Sequence, residues 1–293
     1  MGDDLLAAAP EAVEVDDAPA LMRLFARAAV TAPGRSGDGL PDTVLVRRDV
    51  AIDRDDVAAF AAVVGAGVTD VLPPTWLHML AFPLSIQLMA DRSFPMALPG
   101  MVHLRNRIDR LRPVGIDEVV TVAARLADLR PHPKGRQVDI LAEASVAGDL
   151  VWASRSTYLS RGAGADEASV TAIPPDAVDV AALPLTSVWR LGADQGRRYA
   201  AVSGDRNPIH MSALAARAFG FKKAIVHGMW TKAACLAGLE GRLGDRFVAD
   251  VAFRQPVLLP ATVEYATAAT DDGWAFGVRS RSGRPHLAGV VSP

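Results

Sequence analysis

The sequence of 293 residues is poor in features that mark particular classes of protein. Its single cysteine, Cys235, cannot form an internal disulfide, which favours a reducing compartment, the cytoplasm. Its 31 basic residues do not outnumber its 33 acidic ones, so we expect neither nucleic acid nor an anionic membrane as a partner. No uninterrupted apolar run reaches the ~18 residues of a membrane span, and the N-terminus is acidic where a signal peptide is basic.

The composition that remains is that of a folded globular protein. Half of the residues are hydrophobic and 22% are charged, which excludes extensive disorder. The length suits two domains of about 140 residues. Residues 161–182 are rich in glycine, alanine and proline, as a linker is. We therefore predict one domain over 1–160 and a second over 183–293.

A weak internal repeat supports the two domains. The hexapeptide FAAVVG, Phe60–Gly65, returns as YAAVSG, Tyr199–Gly204, 139 positions later. Alternating apolar strands at 101–110 and 247–253 then run into Pro113 and Pro256, which are 143 positions apart. Similar offsets in the same order indicate a duplicated domain.

Each half has a helical start, a longer apolar helix and a series of strands. The longer helices are predicted at 76–90, with a kink at Pro83, and at 229–239. Strands are predicted near 101–112, 117–128, 136–147 and 150–160 in the first half, and 246–256, 262–270, 274–280 and 287–291 in the second. A helix followed by strands in series predicts an α+β fold with antiparallel sheet wrapped on the helix.

The densest polar chemistry lies in the loop predicted to follow a helix over 193–202. Asn207-Pro208 is a turn dipeptide, and a turn there can bring Asp205 and His210 to the same side. A carboxylate beside an imidazole can hold a water molecule and remove its proton. The alternative is ordinary turn capping, in which Asp205 and Asn207 have a structural role only.

A second imidazole, His227, precedes Gly228 at the start of an apolar helix. The backbone N–H of a glycine at a helix start can donate a hydrogen bond to a developing oxyanion. We expect His227 to pack or to donate a hydrogen bond, not to act as a base.

The run YAAVSGDRNPIH, followed seventeen residues later by HGM, resembles the hydratase signature of the MaoC-like (R)-specific enoyl-CoA hydratases. That resemblance implies the hot-dog fold, and two tandem copies imply a double hot-dog protein in which one half keeps the catalytic loop. The first half, with FPLSIQLMADRSFP and LPGMVHLRN, is similar to the noncatalytic half of double hot-dog dehydratases. One departure is Lys223-Ala224, where the family commonly has Arg-Pro.

The resemblance also implies roles for individual residues. Asp205 and His210 match the pair that activates water, and Gly228 matches the glycine whose N–H binds the thioester oxygen. Asn207 matches a position that shapes the loop, and Ser203 and His227 are taken as neighbours of the substrate. The repeat places Ala66 and Val71 opposite the acid and the base, so the first half lacks both.

The implied reaction is reversible hydration of a trans-2-enoyl thioester, carried by coenzyme A or acyl carrier protein, to the (3R)-3-hydroxyacyl thioester. We expect no cofactor and no metal, because the thioester already acidifies C2. The two halves form a pseudo-dimer within one chain, with a further homodimer left open. Two alternatives stay open: a hot-dog acyl-thioesterase and a noncatalytic module that binds acyl thioesters.

Overall fold

The structure, a computed structural model, describes residues 12–32, 34–164 and 170–293. Among these residues the chain forms seven α-helices and eleven strands. The helices are α1 Leu21–Val30, α2 Arg54–Val64, α3 Trp76–Ala90, α4 Gln195–Ser203, α5 Pro208–Met211, α6 Ala213–Ala218 and α7 Gly228–Ala237. The strands are β1 Val13–Glu14, β2 Val44–Val50, β3 Val102–Arg110, β4 Val120–His132, β5 Gly135–Val146, β6 Asp149–Arg161, β7 Leu185–Leu191, β8 Phe247–Phe253, β9 Ala261–Thr270, β10 Gly273–Ser280 and β11 Pro285–Ser292.

The first compact unit comprises the chain up to Ile52 together with Trp76–Thr171. Its strands lie in the order β1-β2-β4-β5-β6-β3, with β1 and β2 parallel and every other pair antiparallel. Helix α3 packs on β4 and β5 and is buried on nearly all sides, because its sequence is apolar around the whole circumference. Its bounds are those predicted, with Pro83 inside the helix.

The second unit comprises Asp53–Thr75 and Ala172–Pro293. Its strands lie in the order β8-β11-β10-β9-β7, all antiparallel. Helix α7 packs against this sheet, and the buried Tyr265 hydroxyl of β9 donates to the Cys235 carbonyl of α7 at 2.8 Å. Cys235 is fully buried, and burial raises the pKa of its thiol, so it is a core residue.

The repeat is visible in two helices of this second unit. Helix α2 ends on Gly65 with φ 79°, and α4 ends on Gly204 with φ 72°, both in the left-handed region that closes a helix. The two helices contact each other, and the repeat-matched rings of Phe60 and Tyr199 lie 6.2 Å apart. Helix α2 therefore packs with the second unit although its sequence lies in the first half.

The domain boundaries at 160 and 183 stay a prediction. Within the predicted linker, residues 165–169 lie outside the described residues. The end of the linker is fixed to the second unit, since the Arg279 guanidinium donates to the carbonyls of Val180, Ala181 and Leu183. The α+β class is confirmed, and no helix in the described part of the chain has the length and apolar character needed to cross a bilayer.

Candidate active site

The loop after α4 is built by successive side-chain hydrogen bonds to its own backbone. Ser203 Oγ accepts from the Asp205 N–H at 3.2 Å, and Asp205 Oδ1 accepts from the Asn207 N–H at 3.1 Å. Asn207 Oδ1 then accepts from the Ile209 N–H at 3.4 Å and caps the short helix α5. Residue types that favour caps and turns thus fold the loop locally, as the capping interpretation predicted.

The same loop positions the His210 ring. His210 is 8% exposed, and its Nδ1 lies 2.8 Å from the Ile225 carbonyl oxygen. Because a carbonyl only accepts, Nδ1 carries the hydrogen in the neutral ring and Nε2 is the basic nitrogen. The His210 backbone lies against Gly196 of α4, where a Cβ would meet the His210 carbonyl oxygen at 2.1 Å. A glycine is therefore required at 196.

The His227 ring lies directly on the His210 ring, with 3.6 Å between centroids and 26° between planes. Its Nε2 donates to the Asp205 carbonyl oxygen at 2.9 Å, which fixes the backbone of the acid. The ring of Tyr199 lies 4.9 Å away on α4. His227 thus packs and donates, as expected, and its buried Nδ1 has no hydrogen-bond partner among the described residues.

Gly228 follows as the first residue of α7. The N–H of a first helical residue has no partner within the helix, and the helix dipole makes this end electropositive. A Cβ on Gly228 would lie 2.9 Å from the Phe253 ring, so any larger residue must displace that ring or the helix start. The geometry agrees with the predicted oxyanion donor, whose role stays a prediction.

Asp205, His210 and His227 converge, with one ligand-capable atom from each lying within 4.8 Å of the others. The Asp205 side chain is 22% exposed and that of His227 is 3% exposed, so the carboxylate is the accessible member and His227 lies beneath. The turn therefore does bring the predicted acid and base together.

Burial sets the protonation of the three groups. Burial raises the pKa of Asp205, against the opposing effects of His210 and the Asn207 hydrogen bond. Burial lowers the pKa of His210, against Asp205 and the Ile225 carbonyl, and lowers that of His227 much further. The pKa values of the acid and the base thus move towards each other, which lowers the free energy needed to transfer a proton between them.

The orientation of the two imidazole rings in this cluster does not suit a metal ion. A metal binds the lone pair in the plane of each imidazole, about 2.0–2.1 Å from nitrogen for zinc. Two ring planes inclined by 26° and 3.6 Å apart intersect well beyond that distance. The lone pairs of His210 and His227 therefore do not converge on one ion, and the expectation of a metal-free site stays a prediction.

Two residues of the site were not singled out from the sequence, Gly196 and Tyr199. Tyr199 belongs to the internal repeat, where Phe60 is its counterpart, so an aromatic at both repeat positions was the available signal. For Gly196 the only signal was a glycine inside a predicted helix, which costs stability unless close packing requires it.

Comparison with known proteins now adds family evidence. Residues 170–282 match the family model described as a MaoC like domain. The chain is 38% identical over 255 residues to the 3-hydroxyacyl-thioester dehydratase X of Mycobacterium tuberculosis, covering 87% of this chain and 90% of that protein.

Solved structures agree with this result. The crystal structure of HtdX from M. tuberculosis matches with a TM-score of 0.75 and 36% identity, covering 85% of this chain and 98% of the other. A second M. tuberculosis protein, described as a double hot-dog fold, matches with a TM-score of 0.56 at 13% identity over 90% of this chain and 98% of the other. The second likeness concerns the fold alone, and the predicted double hot-dog class is confirmed.

Proposed function

Because this chain belongs to the MaoC-like dehydratases of the double hot-dog type, we propose that it catalyses reversible hydration of a trans-2-enoyl thioester to the (3R)-3-hydroxyacyl thioester. One observation of the site carries the proposal most directly. A partly exposed carboxylate, Asp205, lies beside an imidazole, His210, whose Nδ1 is already bonded to a backbone carbonyl. The other ring nitrogen of His210, Nε2, is therefore the one that is available to bind a water molecule.

In the hydration direction, Asp205 and His210 hold one water molecule, and the pair takes its proton. The water oxygen forms the bond to C3 of the substrate, and the π electrons of C2=C3 move towards the thioester carbonyl. The proton held by the pair then passes to C2, which completes the addition of one water. Dehydration runs the same steps in reverse.

Gly228 supplies the electrostatic part of this mechanism. Negative charge gathers on the thioester oxygen as C3 is attacked, and the Gly228 N–H at the start of α7 donates to that oxygen. Close packing of Phe253 on Gly228 fixes the direction of the N–H. A donor already in place pays no reorganisation cost when the charge develops.

The remaining residues of the site support Asp205, His210 and Gly228. Ser203 and Asn207 hold the loop backbone, and His227 binds the Asp205 carbonyl oxygen while its ring supports His210. We assign positioning roles to Ser203, Asn207 and His227, because each forms its hydrogen bond with a backbone atom of this loop.

Two rival functions are separated by product analysis. A thioesterase directs water to the carbonyl carbon and releases a free thiol, whereas a hydratase leaves the thioester intact. A noncatalytic binding module leaves both the C2=C3 double bond and the thioester bond unchanged. The presence of both the acid and the base in the second half argues against such a module.

The test mixes purified protein with trans-2-enoyl-CoA substrates of several chain lengths. Loss of enoyl-thioester absorbance without thiol release, and a 3R product by chiral analysis, is the expected result. Thiol release as the main reaction identifies a thioesterase, and a 3S product contradicts the stereochemical assignment. The cytoplasmic location and a homodimer beyond the double hot-dog stay predictions.

A further inference from the structure

The segment that frames the proposed site is strongly basic. Between Arg197 and Lys223 the chain has six basic residues and one acidic residue, Asp205, which belongs to the site itself. The whole chain, by contrast, has a slight acidic excess, with a formal net charge of −2. We call these six the basic rim: Arg197, Arg198, Arg206, Arg217, Lys222 and Lys223.

The basic rim is open to solvent. All six residues are exposed, and no carboxylate of the described residues forms an ion pair with any of them. The segment is held together because α4 contacts α5, α5 contacts α6, and the Arg197 guanidinium donates to the Met211 carbonyl at 3.3 Å. These like charges repel one another, and no carboxylate of the described residues neutralises them. A binding partner of negative charge would relieve that repulsion.

Apolar side chains lie within the same segment. Leu214 on α6 is 79% exposed, and Phe219, directly after α6, is 37% exposed. Arg217 lies three residues after Leu214, on the same side of the short helix. Arginine and aromatic side chains are enriched in protein interfaces, and Leu214 adds apolar surface beside them.

From these observations we propose that the basic rim, with Leu214 and Phe219, is a docking surface for an acidic acyl carrier protein that delivers the thioester. The inference rests on the proposed function, because it assigns the carrier of that substrate. An acidic carrier complements the charge of the rim and accelerates encounter through long-range attraction. Its apolar side chains can contact Leu214 and Phe219.

Coenzyme A is the other anionic carrier, and its features fit this surface less well. Its phosphates call for a compact cluster of cations and backbone N–H groups. The basic rim instead extends over two helices and two loops, and the neighbouring Leu214 and Phe219 offer nothing to a phosphate. Helix α2, which packs on α4, carries Asp55 and Asp56 in its first turn, so the basic surface does not continue onto α2 for either carrier.

The test compares one enoyl chain on three carriers: acyl carrier protein, coenzyme A and the uncharged N-acetylcysteamine. The variant R217E/K222E reverses two charges of the rim and touches no proposed catalytic residue. We expect kcat/KM for the carrier-protein substrate to fall by ~10-fold or more, with its salt dependence flattened. The value for N-acetylcysteamine should not change, and that for coenzyme A should fall far less.

The matched control is R281E/R284E, which makes the same change in net charge at the turn between β10 and β11. An equal fall in the control shows a general charge effect and overturns the proposal, as does an equal fall with coenzyme A. Calorimetric binding of the carrier protein to wild type and R217E/K222E needs no turnover. A wild-type protein that hydrates none of the three thioesters contradicts the proposed function, whereas unchanged carrier binding in the variant contradicts the docking surface.

Discussion

The imidazole rings of His210 and His227 lie face to face, 3.6 Å apart at their centroids, and each hydrogen-bonds a backbone carbonyl oxygen through one nitrogen. Two protonated rings at that distance would repel strongly in a buried site. Burial therefore favours the neutral form of both rings, which the proposed role of His210 as a base requires. This contact joins the segment after α4, which carries His210, to the start of α7, which His227 precedes.

Neutral burial of His227 predicts a pH-dependent stability. Its folded pKa lies well below the ordinary value of 6.5, so the unfolded chain binds the proton more readily. Its contribution to stability is present above pH 6.5 and is lost as the pH falls towards the folded pKa. The variant H227Q removes that proton, and its slope of unfolding free energy below pH 6.5 should be smaller by up to about 1.4 kcal/mol per pH unit. Urea denaturation at several pH values measures both slopes, and parallel curves would show that His227 has an unperturbed pKa.

Replacing Gly228 should damage both catalysis and packing. In G228A the new Cβ lies 2.9 Å from the Phe253 ring, so the helix start or the ring must move. Alanine keeps the backbone N–H, but this movement turns it away from the thioester oxygen, so we expect kcat to fall by ~10-fold or more. Stability should fall by about 1–3 kcal/mol through overpacking.

Two further variants separate these effects. F253L in the G228A background makes room for the methyl group and should recover stability. The control G244A introduces a Cβ no closer than 3.6 Å to its neighbour and should leave kcat unchanged. A destabilised G228A protein with the wild-type kcat would contradict the claim that close packing of Phe253 on Gly228 fixes the direction of the N–H.

Gly196 offers a test of how α4 positions the base. In G196A the methyl group meets the His210 carbonyl oxygen at 2.1 Å, and backbone atoms on both sides must separate. Because the His210 ring moves with its backbone, we expect kcat to fall by ~10-fold or more with a smaller change in KM. Steady-state kinetics measure the two parameters. An unchanged kcat would show that the loop absorbs the displacement without moving the ring.

Much of the fold follows from local sequence patterns. The bounds of α3, Trp76–Ala90, were predicted because apolar residues and the flanking turns define them, and β8 to β11 follow from alternation. Strand β7, Leu185–Leu191, was missed because it is an edge strand with several exposed positions and little alternation. Strand β2 was missed for a similar reason, since VLV is followed by the charged RRD.

The candidate site was likewise predictable from the sequence only in part. Ser203, Asp205 and Asn207 form a loop of local hydrogen bonds, which residue types and spacing predict. The stacking of His227 on His210 joins residues seventeen positions apart and depends on how α7 packs. The packing of α2 with the second unit likewise depends on tertiary contacts, which no local pattern encodes.

The central claim is that Asp205 and His210 together activate water, and the hydration rates of D205N and H210A test it most directly. Each variant should lose roughly 100- to 10,000-fold in kcat on one trans-2-enoyl-CoA, while urea denaturation shows a folded protein. D205N keeps the oxygen that accepts from the Asn207 N–H and removes a partly buried carboxylate whose pKa is raised by desolvation, so its stability at neutral pH should not fall. H286A is the matched control, since His286 also contacts a backbone carbonyl through Nδ1 but lies outside the site. We expect a wild-type rate for H286A alone. Near-wild-type hydration by a folded D205N or H210A protein would show that the pair does not activate water.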